Sequence, residues 1–138
     1  MKKGQASVEF LAVVAFFLLV TTPIFIYFFS SAPEKDYYAS MMQAQFSAEE
    51  FVKYGELVGA QGNGTKVMRV IVVPPYTKKV LLNGTHAVIT IKYGDTAMYS
   101  DIIRRGAVNF SETAFELGGG TYTFLFENQG GVVNVSKR

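Results

Sequence analysis

The chain has 138 residues, 49% of them hydrophobic, with 13 basic and 11 acidic side chains, a net charge of +2 and no cysteine. That length fits one domain, and the lack of cysteine excludes disulfides, thiol nucleophiles and thiolate metal sites. Lys2 and Lys3 account for the whole positive excess, so the basicity belongs to the start of the chain and is no sign of nucleic-acid binding.

Residues 10–29, FLAVVAFFLLVTTPIFIYFF, form a run of twenty without a charge. As a helix rising about 1.5 Å per residue, such a run spans about 30 Å, the thickness of a hydrocarbon core. Lys2 and Lys3 precede it and no basic residue follows until Lys35, a bias that puts the N-terminus in the cytoplasm and the rest outside. An ordinary secretory signal cut after Ser30-Ser31-Ala32 is one reading, and a plain signal anchor is another. The secretory reading is opposed by the length of the run, by Pro33 just after the cut, and by Glu9 at the edge of the run, where a carboxylate needs a reason.

The residues Lys2-Lys3-Gly4-Gln5-Ala6-Ser7-Val8-Glu9 lead directly into that run. They resemble the class III signal peptide of archaeal type IV pilins: a short basic leader, a Gly, Gln-x-Ser-x-Glu, then an apolar helix. The family often has Leu four residues after the Glu, where this chain has Val13. The resemblance covers about the first thirty residues and implies cleavage by a prepilin leader peptidase between Gly4 and Gln5. Such a cut removes the positive charges and leaves the apolar helix attached. Glu9 then becomes the fifth mature residue, implied to pair with the N-terminal amine of a neighbouring subunit. A carboxylate snorkelling at the membrane interface is the alternative for Glu9. The resemblance further implies a single-pass precursor held in the membrane with its head outside. That precursor would assemble, through a platform and a motor ATPase, into a helical homo-oligomeric extracellular pilus used for adhesion. The competing expectation is a membrane-anchored surface-binding module that never polymerises.

Beyond the run, Ser31-Ala32-Pro33-Glu34 fits a capping box with Pro in the first turn, which starts a new helix or marks a kink; Pro23 is a second kink candidate. From 33 to 58 the pattern is helical: Tyr37, Met41, Ala44, Ala48, Phe51, Gly55 and Val58 alternate steps of four and three. This stripe is expected to cover the head, with Tyr38, Phe46 and Tyr54 left for neighbouring helices.

The segment 59–65 is Gly-rich loop, and after it the period changes to two. Ala87, Ile89, Ile91 and Tyr93 share a face, as do Tyr122, Phe124 and Phe126, and Val133 and Val135. Stretches 67–73 and 79–82 are further strands, and Asn83-Gly84 between two strand patterns signals a hairpin. Pro74-Pro75, Gly94-Asp95, Gly118-Gly119-Gly120 and Gln129-Gly130-Gly131 mark other turns. The expected architecture is α+β: leader 1–4, transmembrane or filament-core helix 5–32, amphipathic helix 33–58, and head 59–138. The head is expected to be an antiparallel, sandwich-like fold of six to eight short strands.

Four of the five asparagines lie in N-x-S/T sequons: Asn63, Asn83, Asn109 and Asn134. With 18 Ser and Thr in 138 residues, chance supplies fewer than one, so all four are candidate N-glycosylation sites on an exported head. Asn-Gly-Thr as plain turn chemistry accounts equally for Asn63 and Asn83.

Catalytic machinery is not expected. His86 is the one histidine and has no partner signature, and no nucleophile elbow or phosphate-loop motif occurs. Asp95 and Asp101 lie close enough in sequence to offer a cation two carboxylates, but carboxylates in turns are mostly just solvated; Arg104-Arg105 is too short for a nucleic-acid patch. The sequence therefore points to a structural protein that is not an enzyme and needs no cofactor, metal or nucleic acid.

Overall fold

The computed structural model describes the backbone of residues 2–92 and 98–138, and the side chains of 7–30, 36–92 and 98–138. Two compact units emerge, the first ending at Asp36 and the second spanning Tyr37–Arg138. Helix α1, Lys2–Ala60, contributes to both. Its backbone is helical through 31–35, where the capping box was expected, and the side chains of that box lie outside the described residues.

Within the first unit, Ser7–Ser30 is a 24-residue apolar stretch long enough to cross a membrane, with none of it buried. A helix is the form in which such a run satisfies its own backbone. Two hydroxyls follow the same logic: Thr21 donates to the Phe17 carbonyl at 2.8 Å and Ser30 to that of Tyr27 at 3.1 Å.

In the second unit the alternating stripe on α1 becomes the core face. Ala44, Ala48, Phe51 and Val58 are fully buried, and Tyr37 and Met41 pack at the edge of the same cluster. Around them lies one five-stranded sheet of β1 (Lys66–Val73), β2 (Thr77–Lys92), β3 (Tyr99–Phe115), β4 (Gly120–Gln129) and β5 (Val132–Lys137). Strand order is β1-β4-β5-β3-β2. Fold class α+β stands, but among the described residues the head has five strands and not six to eight, in a single sheet and not a sandwich. Nor is it wholly antiparallel, since β3 and β5 run parallel through Asn109↔Val132 and Phe110↔Val133.

The strand count falls because 79–82 and 86–92 belong to one strand, so the expected Asn83-Gly84 hairpin is instead an interruption inside β2. The register against β3 slips on both sides of Gly84, whose φ is 54°. The ribbon still bends: sixteen extended residues would separate its ends by about 50 Å, yet the Lys92 N–H donates to the Tyr76 carbonyl at 2.8 Å.

The sheet as a whole curls too. Its edge strands β1 and β2 are joined by residues 74–76 alone. Val73 to Thr77 reaches at most about 14 Å, whereas the edges of a flat five-stranded sheet stand about 19 Å apart. The α1 stripe fills the resulting trough. Phe51 meets Phe124 edge-on at 4.9 Å and Phe126 at 6.1 Å. Gly55 exists for contact with β3, since a Cβ there would fall 2.3 Å from Phe110. Ser47 reaches the edge strand, its hydroxyl proton shared between the Val72 carbonyl at 2.6 Å and that of Gln43 at 2.9 Å.

Candidate functional site

Phe16, Phe17, Leu18 and Leu19 point four ways around their helix and are each at least 56% exposed. A helix apolar on every side, with no partner in its own unit, is suited to lipid or to a bundle of like helices. Glu9 stands exposed near its start and has no ion-pair partner among the described residues. Gly4 and Gln5 lie in the helical backbone of α1, and the Gln5 side chain is outside the described residues. The structure thus supplies the apolar surface that the sequence announced and gives the Glu9 carboxylate no counter-charge among the described residues.

The second unit carries a smaller unpartnered face. Tyr38, Met42 and Phe46, spaced by four, are each more than half exposed. Tyr54, expected on that outer side, instead packs on the sheet: its ring lies 6.1 Å from Phe126 and under the Arg69 guanidinium at 4.9 Å.

The four sequons reach the surface in different ways. Asn63 is exposed in the loop after α1 and its Oδ1 accepts the Gly130 N–H at 2.8 Å. Asn134 is half-buried in β5, donating to Gln129 Oε1 at 2.6 Å. Asn83 and Asn109 are exposed and have no hydrogen-bond partner among the described residues.

The fifth asparagine, Asn128, is the structural residue that sequence reasoning missed. It is 2% exposed. Its Nδ2 donates to the Val58 and Gly59 carbonyls at 3.4 and 3.2 Å, and its Oδ1 accepts the Gly131 N–H at 2.9 Å. It thereby satisfies carbonyls that the end of α1 leaves open and fixes the β4–β5 turn in the same step. Its standing as the one Asn outside a sequon, beside Gln129-Gly130-Gly131, was the available signal.

Several charged groups in the head make local contacts across the sheet and to α1, as where Glu56 Oε1 accepts the Ala107 N–H at 2.8 Å. Across β1 and β4, Lys66 Nζ lies 3.0 Å from Glu127, and that hydrogen bond, with a smaller one from Gln129, holds the Glu127 carboxyl below its ordinary range. Asp101 accepts the Thr90 hydroxyl at 2.6 Å, and Asp95 lies outside the described residues. His86 is exposed, with Nδ1 3.4 Å from the Thr85 hydroxyl. No group of three His, Cys, Asp or Glu able to hold a metal occurs among the described residues.

The chain matches no protein-family model, no curated protein and no solved structure.

Proposed function

We propose that the chain is the structural subunit of an archaeal type IV pilus-like surface filament. Before assembly the apolar helix holds the precursor in the membrane, with the head outside. After leader cleavage between Gly4 and Gln5, the helices of many copies bundle and the heads clothe the outside. The observation that carries this reading is the 24-residue stretch Ser7–Ser30, apolar on every side and 0% buried, attached to a head with a core of its own. The exposed Tyr38, Met42 and Phe46 support it, since a neighbouring helix would cover them. Glu9 supports it too, as a carboxylate whose counter-charge would be the N-terminal amine of the next subunit. Adhesion is the use such a filament would serve.

The deciding experiment is to shear native cells, sediment the released material and sequence the mature N-terminus by mass spectrometry. The filament subunit pellets as high-mass fibres that begin at Gln5. Protein that stays with membranes is the anchored, non-polymerising module, and an N-terminus at Pro33 identifies a secretory signal. In the same assay Glu9→Gln is expected to be cleaved and inserted normally yet to enter fibres poorly, while Leu11→Ala weakens packing only modestly. Wild-type incorporation of Glu9→Gln would return that residue to a snorkelling role.

A further inference from the structure

Two sequons that are 26 residues apart in sequence meet in the fold. Gly84 of Asn83-Gly84-Thr85 pairs with Phe110 of Asn109-Phe110-Ser111 across β2 and β3. A Cβ on Gly84 would lie 3.8 Å from Asn109 Oδ1. Asn83, Thr85 and Asn109 line one open depression of about 530 Å³. The side-chain amides of both asparagines are unengaged among the described residues, unlike those of Asn63 and Asn134.

Their backbones differ. Asn83 stands where the β2 ladder slips twice and Gly84 adopts a positive φ, so this stretch can leave the sheet at little loss. Asn109 too lacks a partner on β2, but its backbone pairs with Val132 of β5, whereas Asn83 lies in the edge strand β2 and has no register partner; Ser111 Oγ is 3.4 Å from Thr113 Oγ1. An enzyme that must take an asparagine amide together with the hydroxyl two residues on meets less resistance at Asn83 and Thr85.

We propose that Asn83 and Asn109 form one composite attachment site, which carries a single N-linked oligosaccharide per chain, on Asn83 in preference to Asn109. The co-reactant is an oligosaccharide linked to a lipid phosphate. Asn83 Nδ2 forms a bond to the anomeric carbon, the bond from that carbon to the phosphate oxygen breaks, the lipid phosphate leaves with the electron pair, and the amide gives up one proton. The attached sugar then fills the shared depression and covers the Asn109 amide. This inference rests on the exported placement of the head.

Glycopeptide mass spectrometry of the native full-length protein tests it, on membrane and sheared-fibre fractions separately. The expected pattern is sugar on Asn83 with Asn109 bare. Asn83→Gln, and independently Thr85→Ala, which keeps the asparagine, each move the sugar to Asn109 and raise its occupancy severalfold. Asn109→Gln leaves Asn83 occupancy unchanged. Sugar on both residues of one molecule, a bare pair, or Asn109 still bare in the Asn83→Gln protein overturns the proposal. Sugar on membrane-held protein that never enters fibres would end the filament reading and leave this one standing; fibres of bare subunits would do the reverse.

Discussion

The two parts of α1 meet the same demand, shelter for apolar side chains, in opposite ways. In Ser7–Ser30 apolar residues surround the helix and none is buried. In 37–60 a stripe of them, Ala44, Ala48, Phe51 and Val58, is fully buried under the sheet, and a smaller face with Tyr38, Met42 and Phe46 stays exposed. The difference teaches where each part's partner resides. A stripe can be satisfied by the fold that carries it, whereas an all-round apolar surface needs a medium or a bundle supplied from outside the chain.

That contrast breaks most visibly at Phe51. Phe51→Ala removes a ring packed on Phe124 and Phe126. It should destabilise the head by about 3–5 kcal/mol in chemical denaturation while leaving membrane partitioning untouched. The mirror experiment is Phe17→Lys, which places a charge near the middle of the apolar stretch and should disfavour membrane insertion by about 2.5–3.5 kcal/mol. The head of this variant should unfold at the wild-type midpoint; a shared loss would show that the two units are not independent. Asn128→Ala sharpens the boundary from the head's side. It strips the Val58 and Gly59 carbonyls of a buried donor and should cost about 1–3 kcal/mol of head stability, with membrane extraction unchanged.

The smallest effect concerns Glu127. Its carboxyl is lowered in the folded head, first by the hydrogen bond from Lys66. A depressed carboxylate contributes stability above its unfolded value, about 4.3, and that contribution is lost as pH falls through the lower folded value. Lys66→Met should flatten the acid limb of the head's stability curve in that window. At neutral pH the pair is exposed enough that the change should be slight.

Much of this was legible because periodicity reports burial. Ala87, Ile89, Ile91 and Tyr93 were placed on one face by alternation; Tyr93 lies outside the described residues, and the other three are fully buried. The same holds for Phe124, Phe126 and Val133. The turns at Pro74-Pro75, Gly118-Gly119-Gly120 and Gln129-Gly130-Gly131 each separate successive strands. What failed was continuity. Asn83-Gly84 carries hairpin chemistry, but a long partner strand on the far side turned a chain reversal into a register slip. That partner, β3, is the longest strand at 17 residues and went unread, because Arg104-Arg105-Gly106 interrupts its alternation. The parallel contact of β3 with β5 depends on strand order, which no local pattern encodes. For the candidate site, the apolar helix was plain from composition, while the meeting of Asn83 with Asn109 required the register of two strands.

Strand order also dictates when the head can exist during synthesis. The central strands β4 and β5 are the last in the chain, and β1 pairs with β4 alone. Val73 must therefore wait for Gly120, 47 residues later, and Lys66 for Glu127, 61 residues later, before β1 has its strand partner. Until residue 120 emerges, β1 and the β2–β3 ribbon are unjoined pieces flanking an uncovered stripe on α1. A nascent chain that stalls before that point carries its full apolar helix and no completed sheet, so residues 120–138 are what turn an exposed intermediate into a closed head.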